Sequence, residues 1–280
     1  MSTGTVTRGP APREERDRAG GGARARNRPA RGFAVRILTT AAYLAVILAA
    51  WYLYVTLADV PSFLLPEPGE VWDAGRELVT EGQLWPHLGY TLRNIALGFV
   101  GGSLVGILLG WVLWASRTVR EIFAPYMVLL QAAPKIAVAP LLVLWFGLSL
   151  TSQYALILLL VFFPMTAATM LGLRDVPADV STLGRLLHLS RWRYLRTIQL
   201  PAAMPALLAG AKIAVIDAMT GAFLAEYLSA DRGLGYLMVL GNTQNDTPLL
   251  IAAVVLTVAV GLLGFGLVSL AERRLLRWSR

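Results

Sequence analysis

The chain has no cysteine and two histidines, and only two of its 25 cationic side chains, Lys135 and Lys212, are lysines. Disulfides and thiolate metal sites are excluded, and little is left to support zinc or redox chemistry. Charge is scarce, at 15% of residues, and no G-x-x-x-x-G-K-[ST] phosphate loop, nucleophile elbow, H-E-x-x-H helix or carboxylate pair beside a histidine occurs. The chain is expected to be no enzyme and to carry no catalytic residue, metal or cofactor of its own. Any energy it uses must come from an ion gradient or from a separate nucleotide-binding subunit.

What is present is apolar. Hydrophobic residues make up 56% of the chain and gather into runs of about 20, the length that crosses a bilayer as a helix. The runs lie at 37–57, 95–114, 122–148, 154–173, 201–228 and 249–270. They predict an all-α, polytopic membrane protein of about six transmembrane helices. The third run contains Pro134 and Pro140 together with Gln131 and Lys135. It should be kinked or unwound there and face inward, because freed backbone groups are tolerated at membrane depth only against protein or a cavity.

Cations set the orientation. Nine arginines precede the first run, Arg117 and Arg120 follow the second, five lie between Arg174 and Arg196, and four end the chain. With six alternating spans these twenty share one side, and Arg76, Arg93 and Arg232 stand on the other. The crowded side is read as the cytoplasm, which places both termini there in a bacterial plasma (inner) membrane. The net charge of +8 is largely this bias, so no nucleic-acid partner is expected. Residues 1–32, rich in Gly, Pro, Ala and Arg, are expected to be a disordered cytoplasmic tail that touches anionic lipid. The run at 37–57 is too long for a secretory apolar region and is read as a retained span.

Across the first connector, Pro61, Pro66 and Pro68 precede an amphipathic piece ending near Gln83, with Glu70, Asp73, Glu77 and Glu81 on one face. Between the fourth and fifth runs, 176–205 is too polar to span and too regular to be slack. Leu183, Leu186, Leu187 and Leu189 recur at helical spacing with Arg185, Arg191, Arg193 and Arg196. This lever offers a soluble partner something to hold, and Leu200-Pro201 marks where the next span should start.

Small residues recur every four positions in two spans: Gly98, Gly102, Gly106 and Gly110, and then Ala202, Ala206, Gly210, Ala214, Ala218 and Ala222. Such ridges let helix backbones approach in lipid. The first is read as packing; the second is open between packing and a moving seam. Ionisable groups inside the spans are Lys135, Lys212, Asp217 and, near one end, Glu226. A charge at that depth costs roughly 2.5 to 3.5 kcal/mol on the translocon scale and normally faces protein or water. Gln131, Lys135 and Asp217 are the candidates to line a path for a polar or anionic solute, while Lys212 lies where it can snorkel to the interface. A gradient-driven carrier coupled through Asp217 and Lys135, or a non-transporting membrane scaffold, remain open alternatives.

Several stretches together resemble the permease subunit of an ATP-binding-cassette importer. They are Thr91-Leu92-Arg93, the glycine-rich second span, Pro134-Lys135 through Gly147, Phe163-Pro164, Leu189-Ser190-Arg191-Trp192, Leu200-Pro201-Ala202-Ala203-Met204-Pro205 and Gly233-Leu234-Gly235-Tyr236. The likeness runs from about Pro61 onward and is to permeases for nitrate, sulfonates and taurine and for pyrimidine precursors of thiamine or flavin-type compounds, with the run from Gln131 to Gly147 leaning toward the latter. It implies the type I importer permease fold, a permease homodimer, an extracytoplasmic substrate-binding protein, and a cytoplasmic ATPase that holds ATP and magnesium and grips the lever. The division it implies is 33–90 for the first span and outer connector, 91–270 for the permease core, 176–200 for a coupling helix, and 271–280 for a basic cytoplasmic tail. Its ATPase contacts would be Thr182, Leu183, Gly184, Leu187, His188, Arg191 and Trp192. The family's lever has Glu-Ala-Ala and then glycine where this chain has Thr182-Leu183-Gly184 and His188. A contact carboxylate is thus missing, and the turn is expected to be remade with Gly184 as its flexible point.

Overall fold

The computed structural model describes residues 29–132, 134–176, 180, 182, 186–229 and 231–276, all helix, turn or irregular backbone, and the chain divides into two units, 1–53 and 54–280. Helix α1 (Pro29–Leu57) carries the first apolar run. The rest is a bundle of α2 (Pro68–Thr80), α3 (Leu84–Ala115), α4 (Arg117–Ala132), α5 (Lys135–Phe146), α6 (Leu150–Arg174), α7 (Arg191–Tyr194), α8 (Leu200–Ser229), α9 (Leu234–Gln244) and α10 (Thr247–Leu275).

Among the described residues, five stretches are long and apolar enough to cross a membrane: Leu38–Leu57, Leu84–Ala115, Leu150–Arg174, Trp192–Leu228 and Thr247–Leu275. The expected third span is instead two shorter helices, α4 and α5, meeting at Pro134. Proline cannot donate to the helical ladder and biases its predecessor away from helix, so the break falls there. Pro140 sits within α5 without ending it.

Helix α6 is the centre of the bundle, and the two small-residue ridges clamp it from opposite partners. Gly98, Gly102, Gly106 and Gly110 of α3 meet Ile157, Val161, Met165 and Thr169 of α6. From α8, Gly210 meets Ala168, and Ala214, Ala218 and Ala222 pack into one cluster with Ile157, Val161 and Met165. Ile157, Val161 and those three alanines are wholly buried. Both ridges therefore pack helices, holding them by close van der Waals contact rather than by the hydrophobic effect, which does little inside lipid.

The chain enters α8 differently from expectation. No new helix starts at Pro201; helical backbone runs on from α7 through a π-turn at Leu195–Gln199, where the Leu200 N–H bonds the carbonyl of Leu195. A proline ring collides with the carbonyl four residues back, and a widened turn just ahead of it relieves that clash without breaking the helix.

At the opposite end of the bundle, Leu78 of α2 is buried with Leu84, Leu234, Leu237, Met238 and Ala253, so α2 is fastened to α9 and α10. The Glu67 N–H donates to the Glu70 carboxylate (2.9 Å), a reciprocal cap that starts α2. Helix α3 begins at Leu84, eleven residues before the apolar run at 95. Its first turns are too polar to read as a span.

Candidate functional site

Described residues 180, 182 and 186 are helical and 187–188 form a turn. His188 has φ +48°, in the left-handed region where histidine is among the side chains more often found. The turn's left-handed residue is thus His188 itself, at the glycine position of the resemblance. Leu183 and Gly184 lie outside the described residues, as does the Arg191 side chain. Ser190 opens α7, its Oγ accepting from the Arg193 N–H (3.4 Å). Leu186, Leu187 and Trp192 are 71%, 61% and 64% exposed, and Thr182 and His188 are exposed with them. The Arg196 guanidinium lies 5.3 Å from the Trp192 ring centroid. The segment thus presents leucine, an aromatic ring and cations away from its own bundle.

The path candidates fare unequally. The side chains of Gln131 and Lys135 lie outside the described residues; their backbones flank the break at Pro134. Asp217 is half-buried on α8, next to wholly buried Ala218. Lys212 does not simply snorkel: it forms an ion pair with Glu272 of α10, both side chains about three-quarters buried. Sequence reasoning missed this pair because the two residues are 60 positions apart. Lys212→Met should destabilise the folded protein by about 3 kcal/mol, since it strands a buried carboxylate, and Lys212→Met/Glu272→Met should recover most of that loss. Thermal unfolding of the purified variants in detergent checks both.

The other end holds a buried, fully hydrogen-bonded carboxylate that sequence reasoning assigned no role. Glu226, near the end of α8, is 1% exposed, and Thr91 and Asn94 of α3 are 2% and 0% exposed. The carboxylate accepts from Thr91 Oγ1 (2.8 Å), the Gly235 N–H (3.1 Å) and Asn94 Nδ2 (3.3 Å). A buried carboxylate needs several such donors, and here the N-terminal end of α9 adds a favourable dipole. The leading N–H groups of α9 are satisfied in turn by side chains from elsewhere. Gly233 donates to His87 Nδ1 (3.0 Å), Leu234 to Thr91 Oγ1 (2.9 Å) and Gly235 to Glu226. Asn94 Nδ2 also reaches Gln153 Oε1 of α6 (3.2 Å), to which the Tyr90 hydroxyl donates (3.0 Å). Four helices are thereby tied at one node. The polar opening of α3 exists to cap α9.

Two glycines make the approach possible. Gly233 has φ +113°, and a Cβ there would collide with the Glu226 carboxyl; a Cβ at Gly235 would sit 2.6 Å from the Phe223 carbonyl and 2.8 Å from Glu226 Cβ. The available signal was a threonine and an asparagine three positions apart ahead of an apolar run, followed far downstream by a lone glutamate and Gly-Leu-Gly.

Beside the node lies an open cavity of about 440 Å³, whose lining includes Tyr90, Leu148, Ser149, Gln153, Leu228 and Asp231. Arg232 pairs with Asp231 (3.2 Å), and this hydrogen bond holds the Asp231 carboxyl below its ordinary range.

This bundle is that of a polytopic membrane permease. Residues 102–277 match the family model described as binding-protein-dependent transport system inner membrane component, and the chain belongs to that family of ABC transporter permeases. It is similar to a probable ABC transporter permease protein of Haemophilus influenzae, at 36% identity over 81% of this chain and 92% of that protein. It is also similar to the riboflavin transport system permease protein of Chloroflexus aurantiacus, at 33% identity over 84% and 88%. Further relatives are described as formylaminopyrimidine and taurine transport permeases. A chain of the inward-facing MetNI methionine ABC transporter superposes with a TM-score of 0.60 at 18% identity, covering 70% of this chain and 99% of that one, a likeness of fold.

Proposed function

We propose that the chain is the membrane-spanning half of an ATP-driven importer for a small polar or anionic solute. Two copies form a passage between them, and ATP with magnesium is bound and hydrolysed by a separate cytoplasmic ATPase. The observation that carries the reading is the exposed segment at 186–196, where Leu187 and Trp192 point away from their own bundle beside Arg193 and Arg196. Tryptophan and arginine, exposed together, are among the side chains in which protein-binding hot spots are enriched, and the exposed leucine adds apolar area beside them. The coupling residues are Thr182, Leu183, Gly184, Leu187, His188, Arg191 and Trp192, with the lever and both termini on the cytoplasmic face of a bacterial plasma membrane. The opposite end, with α2 and the Glu226 node, receives solute from an extracytoplasmic binding protein. Gln131, Lys135 and Asp217 lie on the passage. Relatives named for riboflavin, formylaminopyrimidine and taurine support a small polar cargo of this range.

Leu187→Asp/Trp192→Asp is the test. Loss of two anchors should weaken the ATPase contact by about thirtyfold or more, the effect of removing a hot spot of about 2 kcal/mol. ATP-dependent uptake in vesicles and copurification of the ATPase should both fall, with membrane insertion unchanged. Uptake that persists without any associated ATPase would defeat the reading.

A further inference from the structure

Three arginines stand on the sparsely charged side of the chain, Arg76, Arg93 and Arg232, and the fold gathers two of them on one ring. The guanidinium of Arg93, from α3, lies 5.3 Å from the Tyr90 ring centroid, and that of Arg232, from the turn between α8 and α9, lies 5.7 Å from it. Like charges from separate elements are costly to assemble unless something of opposite sign is meant to join them. Asp231 offsets one of them, but its pair with Arg232 is 58% and 78% exposed, a class of ion pair that contributes little and is readily displaced. Stacking engages the flat face of a guanidinium and leaves its N–H edge to grip an oxyanion.

Tyr90 is also a wall of the 440 Å³ cavity, beside Ser149 and Gln153. That wall is fixed from behind. Gln153 Oε1 accepts from both the Tyr90 hydroxyl and Asn94, and Asn94 is anchored on Glu226. A cavity with a rigid polar wall, and with two guanidiniums set against that wall's tyrosine ring, is pre-organised in the way ligand sites are.

We propose that this cavity is a receiving site for the oxyanion group of a small solute, a sulfonate, carboxylate or phosphonate, with Arg93 and Arg232 supplying both the charge and the N–H donors and the Tyr90 ring holding the two guanidiniums in place. The assignment rests on the importer reading for its place in transport, and narrows the cargo to acids. Asp231 competes for Arg232 and keeps the site weak enough to pass its ligand on. The same chemistry would accept a phospholipid headgroup, so the source must be separated by experiment.

The full-length protein in phosphatidylcholine nanodiscs is titrated with 13C-methanesulfonate and, separately, with uncharged dimethyl sulfone of similar size, and binding is followed by NMR line broadening. Methanesulfonate should bind and dimethyl sulfone should not. Arg93→Gln/Arg232→Gln should weaken binding by about tenfold or more, the loss expected from charge-assisted hydrogen bonds, with an unchanged unfolding temperature. Equal binding of the two probes, or wild-type affinity in the double variant, overturns the proposal. If replacing half the lipid with phosphatidylglycerol abolishes methanesulfonate binding competitively, the occupant is a headgroup and the solute assignment falls. Binding without ATP-driven uptake in the assembled transporter would defeat the importer reading alone, and uptake without binding would defeat this site alone.

Discussion

Glu226→Ala should unfasten one end of the bundle. The substitution leaves the Thr91 hydroxyl, one of the two Asn94 Nδ2 hydrogens and the Gly235 N–H facing a void, three buried donor groups that lose their common acceptor together. Each such orphan costs about 1 to 3 kcal/mol, so the total is a large share of the stability a domain of this size holds. Glu226→Gln is the informative control. Its one oxygen can still accept from both Thr91 and Gly235, which now share Oε2, but its amino group would face the amino group of Asn94. Turning the Asn94 amide brings its buried, unpartnered Oδ1 to that donor and sets the same oxygen against Gln153 Oε1. One bond is thus lost rather than three, and the expected cost is about 1 to 2 kcal/mol. Detergent-solubilised protein should show a large fall in unfolding temperature for alanine and a small one for glutamine. Hydrogen exchange should locate the change at the amides of Leu234 and Gly235. Equal behaviour of the two variants, or no change at those amides, would show that the carboxylate does not cap α9.

Gly106→Leu should separate α3 from α6. A Cβ at that position would lie 2.6 Å from both Met165 Cβ and the Phe162 carbonyl, so the obstruction includes backbone that cannot swing aside. Overpacking a tight contact costs about 1 to 3 kcal/mol when side chains can yield, and more is expected where a whole helix must shift. The protein should lose its monodisperse size-exclusion peak. Gly266→Leu on α10 serves as the control, since nothing lies within 4 Å of a Cβ there. Comparable damage from both would mean that close helix approach is not what the α3 ridge provides.

Much of this was readable along the chain, because membrane helices announce themselves by length and small-residue ridges by period. The Gly98 to Gly110 ridge, the break at Pro134 and the family membership all follow from signals confined to a few turns of backbone. The Glu226 node was not readable in the same way. Its members, at 87, 91, 94, 153, 226 and 233–235, come from separate stretches, and each alone looks like a polar residue lowering the hydropathy of a span. Helix α9 was missed for a related reason: its 11 residues are too few for a span and carry glycine in the first and last turns. The Lys212–Glu272 pair was out of reach because Glu272 sits on another helix, where no local spacing rule reaches. At the lever, local reasoning expected the absent glycine to move the turn, whereas the backbone keeps a left-handed residue there and places His188 in it.

The widened turn at Leu195–Gln199 has a geometric outcome for the proposed coupling. One surplus residue in a helix advances everything beyond it by about 100° of azimuth, given 3.6 residues per revolution. Trp192 therefore does not share a heading with the α8 residues that a continuous spiral would place beneath it. In the proposed coupling, a push received at the tryptophan would reach Ala214 to Ala222 from a direction that this single residue selects.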